Sequence, residues 1–153
     1  MDTTMKATAT APGRVACAAV PPAARVTMAL TGSLLAGVLT SFGQAVPGLS
    51  TVSNSAGPWF VVAVLLCLLA GVRPGRVALP LAMLLGVVLL ELMHVGYWAT
   101  TNLRGFPDVL SVTNFWVLMG IPAGVLAGAV AVAVRSPSVR WRGAALGATA
   151  AVL

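Results

Sequence analysis

Inside a long apolar run stands Glu91-Leu-Met-His94, followed by Tyr97 and Trp98. Residues three apart in a helix share a face, so the carboxyl and imidazole can hydrogen-bond, and Trp98 continues the stripe at the next turn. Such a pair can carry a proton, serve as acid and base on a lipid, or lock helices together. An ionised carboxylate near mid-membrane costs about 2.5–3.5 kcal/mol on insertion scales. Something must offset that cost, or the group must hold a proton. An intramembrane acid therefore marks a functional-site hypothesis, with the structural alternative that Glu91 pairs with His94 or Arg104. The chain has no second histidine. As metal ligands the pair is at least one group short, so no metal and no cofactor are expected.

Three further segments supply polar groups. In Thr100-Thr-Asn-Leu-Arg-Gly-Phe-Pro-Asp108, Gly105 and Pro107 set a turn. There Arg104 can pair with Asp108, reach back to Glu91, or present its guanidinium fork to an anion. The connector from Thr40 to Trp59 is uncharged and offers Gln44, Ser53, Asn54 and Ser55. Asn114 opens the last long apolar run. The candidate site is thus Gln44, Asn54, Glu91, His94, Tyr97, Arg104 and Asn114 beneath an aromatic rim. Absences narrow its chemistry. The three acids are Asp2, Glu91 and Asp108, with no glycine-rich phosphate loop, serine elbow, glycosidase-type acid pair or histidine cluster. Most hydrolytic chemistries lack their groups, and the chain cannot hydrolyse ATP by itself.

The elements that must position these groups follow from hydropathy. Hydrophobic residues make up 59% and charged residues 8%, where soluble domains carry about 25% charged. Four apolar runs, roughly 26–45, 58–72, 77–99 and 113–134, approach the about 20 residues a bilayer core requires. The expected fold is all-α: a polytopic transmembrane helix bundle with four full spans and a partial fifth over 143–153, either the start of a further span or a surface helix. Residues 1–25 read as a disordered tail rich in Ala, Thr and Pro, and 26–153 as the membrane domain. The second run is the shortest. Its fifteen residues rise roughly 22 Å, so its flanking arginines must snorkel or its helix must begin earlier.

Charge orients the bundle. Of nine basic residues, Lys6, Arg14, Arg25, Arg73, Arg76, Arg135, Arg140 and Arg142 fall on one side of these runs and Arg104 alone on the other. The positive-inside rule then puts the amino terminus in the cytoplasm. Eight of nine aromatics gather at the opposite side, Trp141 being the exception. The net charge of +6 is split among a tail and two turns, which excludes a nucleic-acid stripe and suits anionic lipid at the inner leaflet. Cys17 and Cys67 belong to the tail and the second run, too far apart for a disulfide. Small residues four apart offer helix seams: Gly32, Ser33, Ala36 and Gly37 in the first run, and Gly120, Gly124 and Gly128 in the fourth, beside a kinking Pro122. The second seam can pack within the chain, or against partner helices or a second copy. Val52-Ser-Asn54 before Pro58-Trp59 and Val112-Thr-Asn114 before Phe115-Trp116 hint at a duplicated two-helix unit.

Leu39-Thr-Ser-Phe-Gly-Gln44, Pro47-Gly48, Asn54-Ser-Ala-Gly-Pro-Trp59, Gly96-Tyr97, Arg104-Gly-Phe-Pro107 and Phe115-Trp116 together carry a resemblance over residues 30–135. The chain resembles a family of small bacterial multi-pass membrane proteins catalogued only as a domain of unknown function. That resemblance implies a helical membrane protein somewhat longer than this chain and assigns no activity or catalytic residue. Abundant Ala, Val, Gly and Arg, with Lys6 the sole lysine, is associated with GC-rich bacteria, so the expected location is a bacterial inner membrane. Three functions stay open: a small-molecule or proton-linked binding or transport protein with an outward polar site, an accessory protein packing with partner helices, and an enzyme acting on a lipid. The lean is away from an enzyme. A solvent-reachable cavity shared by Glu91, His94 and Arg104 would separate the first and third from the second.

Overall fold

The computed structural model describes residues 20–75 and 78–152; the expected disordered tail falls mostly outside them. The described chain is helical throughout: α1 Pro22–Gly43, α2 Ser50–Ser53, α3 Ala56–Leu69, α4 Ala78–Leu103, α5 Phe115–Val134 and α6 Val139–Val152. Helix α1 starts inside the segment read as tail, because Pro22 sits at N1, where a missing N–H has no partner to lose.

Three helices, α1, α4 and α5, are long and apolar enough to cross a membrane. Four full spans were expected. The run at 58–72 instead yields α3, 14 residues long, which rises about 21 Å against a core of about 30 Å. Gly71, at φ +86°, cuts it off. With Gly71 in the left-handed region, the Val72 and Gly71 amides bond back to the Cys67 and Leu68 carbonyls at 3.4 and 3.1 Å, closing a Schellman turn. The expected partial fifth span at 143–153 is α6, which begins four residues earlier at Val139 and takes Arg140 and Arg142 into its first turn.

Helix α4 is the centre of the bundle, packed most extensively on α5 and α1. Both seams are built from small residues. On α1 the buried positions are Ala29, Ser33, Gly37 and Ser41, four apart along one face. A Cβ on Gly37 would run into the Met93 backbone, and one on Gly96 into the Leu34 carbonyl. The Ser33 hydroxyl donates to the Leu89 carbonyl and the Ser41 hydroxyl bonds Thr101 Oγ1, so both side-chain polar atoms in that seam are satisfied. The second seam meets Gly86 of α4 with Gly124 and Gly128 of α5, backbone to backbone. Gly120, Gly124 and Gly128 are therefore spent on α4, inside the chain, rather than offered to a partner helix or second copy. Between hydrocarbon-like surfaces, close backbone approach and dispersion replace the hydrophobic drive. Phe60, Ala63, Val64 and Cys67 of α3 complete the core against Ala127, Val130 and Ala131 of α5.

The two ends of the bundle differ in chemistry. At one, the Arg25 side chain lies beside Gly71 and the Arg135 guanidinium donates to the Leu68 carbonyl at 2.6 Å. The turns after α3 and after α5 thus share an end. At the other end gather Gln44, Tyr97, Trp59 and the loop after α4.

Candidate functional site

At its upper end α4 outruns α3. Trp59, in the first turn of α3, stacks its ring 4.8 Å from that of His94 and 6.2 Å from that of Tyr97. From Tyr97, α4 continues to Leu103, six residues and about 9 Å further. There Gly105, at φ +85°, ends it. The Phe106 amide bonds to the Thr101 carbonyl and the Gly105 amide to the Asn102 carbonyl, a second Schellman turn that sends the chain back down α4. The returning loop is pinned at Asp108, whose carbonyl accepts from Trp98 Nε1 at 3.0 Å and Asn102 Nδ2 at 3.1 Å, and whose amide donates to Asn102 Oδ1.

Beneath that loop, where α3 falls short, a cavity of about 420 Å³ opens between α3, α4 and α5. Phe60, Leu90 and Ala123 form its floor. Its walls are Trp59 from α3, His94, Tyr97 and Trp98 from α4, and Trp116 and Gly120 from α5. Gln44, Asn54, Asp108 and Asn114 stand towards its rim. Small-molecule sites are commonly clefts of about 300–1,000 Å³, apolar with a few placed polar groups, and this one fits that description.

Five of the seven residues expected at the site line this one cavity: Gln44, Asn54, His94, Tyr97 and Asn114. Three of them form a chain. Tyr97 Oη donates to Gln44 Oε1 at 2.8 Å, Gln44 Nε2 donates to Asn54 Oδ1 at 2.7 Å, and Asn54 Nδ2 donates to the Ser50 carbonyl. The chain ties the α1–α3 connector to α4. Asn114 caps α5, its Oδ1 accepting from the Trp116 amide at 2.9 Å. Asn54 instead follows α2, and α3 has no side-chain cap. The likeness between the Asn54 and Asn114 segments thus does not extend to capping.

Glu91 stands behind the cavity wall. Its Oε2 lies 3.7 Å from His94 Nδ1, beyond hydrogen-bond length, and Glu91 Oε1 and His94 Nδ1 are buried without a partner. The hydrogen bond expected between the two is not formed. Gly120, shared by cavity and carboxylate, leaves the room that Oε1 occupies. An orphaned buried pair of this kind is rare in folded proteins and concentrates at functional positions.

Arg104 is elsewhere. It neither pairs with Asp108 nor reaches Glu91; Glu91–His94 is the one ion-pair geometry among the described residues. Its guanidinium turns towards α1, donating to the Ser41 carbonyl and, at 3.1 Å, to Ser41 Oγ. Phe42 and Phe106 flank it, ring centres 5.1 and 5.5 Å away. Ser41 Oγ also shares a hydrogen bond with Thr101 Oγ1. Arg104 thus fastens α1 to the end of α4. Glu91, His94 and Arg104 do not converge; His94 alone of the three faces the cavity.

Residues 17–153 match a family described as a family of unknown function, DUF6518. The chain belongs to that family. The resemblance read from its motifs is borne out as to a family without assigned function, and the match extends beyond residues 30–135 on both sides. No curated protein and no solved structure matches the chain. For this DUF6518 member, the cavity itself is the ground on which function must be argued. Sequence reading placed Trp59 and Trp116 only in a rim and gave Asp108 only to Arg104. The signal available for the tryptophans was their position at the first turns of α3 and α5, facing the stripe Glu91, His94 and Trp98.

Proposed function

We infer that this chain is a multi-pass protein of the bacterial inner membrane that binds a small molecule from the outer side, with proton exchange at Glu91 and His94, as part of transport. The observation that carries this reading is the cavity of about 420 Å³ that reaches His94 from the aromatic end. In this arrangement the ligand enters past the Asp108 loop and rests on Trp59 and Tyr97. His94 senses it directly, and Glu91, behind, carries the proton. Gln44 and Asn54 hold the connector in place over the mouth.

Orientation rests on charge. Arg25, Arg73, Arg135, Arg140 and Arg142 border the end that the positive-inside rule assigns to the cytosol, with the amino terminus. Helix α3 counts here as a fourth, short crossing, since it runs from Trp59 beside His94 to Gly71 beside Arg25. Local thinning of the bilayer and snorkelling arginines accommodate such a length at a fraction of a kcal/mol per Å.

The test is a thermal-shift panel on the full chain in detergent, with amines, amino acids, sugars and organic acids, paired with a pH-indicator dye. A ligand at about 100 times its Kd should stabilise by about 2.7 kcal/mol. At least one class should raise the melting temperature, and Glu91→Gln should keep that rise while losing the dye-detected proton exchange. If no class shifts the wild-type protein, binding is wrong and an accessory role with partner helices takes its place.

A further inference from the structure

Six of the nine aromatic residues of the chain line this one cavity: Trp59, Phe60, Tyr97, Trp98, Phe106 and Trp116. Among the described residues no lysine or arginine joins them. Arg104 does not line the cavity; its guanidinium donates to the Ser41 carbonyl on α1. Among the described residues Asp108 is the one acid in the lining, and its carboxylate pairs with no cation. Its place is fixed by backbone bonds to Trp98 and Asn102, not by its side chain.

The donors in this lining are largely spent. Trp59 Nε1 donates to the Ser53 carbonyl at 3.3 Å and Trp98 Nε1 to the Asp108 carbonyl. Tyr97 and the Gln44 and Asn54 amides donate along their own chain. Chiefly Ser53, Ser55, His94, Asn114 and the Trp116 indole keep donors to give. An anion entering here would find no positive charge and few N–H groups. A cation would find π-faces and a carboxylate. Tryptophan gives the strongest cation–π attraction, and desolvation raises it to about 2 kcal/mol or more. The same end of the molecule already holds one cation this way, the Arg104 guanidinium between Phe42 and Phe106.

We propose that the cavity binds a small organic cation, an alkylated or quaternary ammonium group, on Trp59, Trp98 and Trp116, with Asp108 supplying the counter-charge. The proposal rests on the binding reading above and names its ligand class. Quaternary ammonium has no hydrogen to donate, which suits a site whose recognition elements are ring faces and one carboxylate.

The experiment is titration calorimetry on the full chain in nanodiscs with three probes: choline, its neutral isostere 3,3-dimethyl-1-butanol, and acetate. Choline should bind about tenfold more tightly than the isostere, the margin expected of a partly desolvated cation–π site. Asp108→Asn leaves the backbone bonds of Asp108 in place and should weaken choline about tenfold while leaving the isostere unchanged. Trp59→Phe keeps a ring and should weaken choline by a smaller factor. Isostere binding equal to choline, or acetate binding preferred, overturns the cation assignment and leaves the small-molecule reading standing. Failure of all three probes, together with a silent thermal-shift panel, removes both.

Discussion

One carboxylate oxygen, Glu91 Oε1, lies buried with no donor, a hand's breadth in sequence from an imidazole nitrogen in the same condition. Leaving a buried polar atom unmet costs about 1–3 kcal/mol, so retention of both needs a reason beyond packing. Gly120 is the test of that reason. A Cβ there would meet Glu91 Oε1 and, at 3.2 Å, His94 Cε1, both side-chain atoms that can move aside. Gly120→Ala should therefore leave the melting temperature within a few degrees of wild type while weakening ligand binding about tenfold or more. A melting temperature lowered as far as by Gly124→Ala would make Gly120 a packing residue and nothing else. At this scale the sequence was partly legible. Glu91, His94 and Tyr97 share a helix face by spacing alone, and the uncharged Gln44 and Asn54 had few other uses at a membrane surface. Arg104 was misplaced because its partner, Ser41, is 63 positions away, and spacing within one loop carries no information about which helix stands alongside.

Among the elements, α4 is gripped on two sides by glycine contacts of different consequence. Gly124 would place a Cβ against the Val87 backbone, and Gly86 against Gly124 and Gly128. Backbone cannot step aside as a side chain can. Gly86→Ala and Gly124→Ala should each destabilise by about 1–3 kcal/mol through forced separation of α4 and α5, read from denaturant titration in detergent. Gly143→Ala and Gly147→Ala are the control: nothing lies within 4 Å of either added Cβ, so neither should lower stability, and Gly→Ala in a helix can raise it by up to about 1 kcal/mol. Equal losses at all four positions would mean that the seam does not carry the fold. Hydropathy made α1, α4 and α5 readable to within a few residues, since the length of an apolar run is a property of the chain itself. The end of α3 was not, because Val72 is as apolar as its neighbours and the Schellman turn at Gly71 is set by backbone geometry; its short length was legible, fourteen residues against fifteen. That early stop lies at the arginine end, beside Arg25. At the aromatic end α3 begins only at Ala56, with Trp59 beside His94, while α4 runs on to Leu103, and the space beneath the Asp108 loop is the cavity.

At the scale of the whole molecule, the sense of the site depends on which end meets which solution. The arginine end and the aromatic end are separated by the length of α4, and the site opens at the second. If the positive-inside rule holds here, the loop containing Ser111 faces outward and the turn containing Ser136 faces the cytosol. A cysteine-free background, Cys17→Ser with Cys67→Ser, allows a direct reading. Cys67 is buried, so its replacement by the similar-sized serine should be checked first by melting temperature. Ser111→Cys should react with a membrane-impermeant maleimide on intact cells, whereas Ser136→Cys should react only after permeabilisation. Adding choline should slow labelling of a cysteine at Val117, which lines the cavity, and should leave Ser111→Cys unaffected. Reversed labelling, with Ser136→Cys reactive on intact cells, would turn the cavity towards the cytosol. Such an inversion would leave the helix contacts, the seams and the ligand class untouched, yet it would change the direction of any proton coupling at Glu91. The labelling experiment therefore decides the physiological sense of the site independently of whether the site binds.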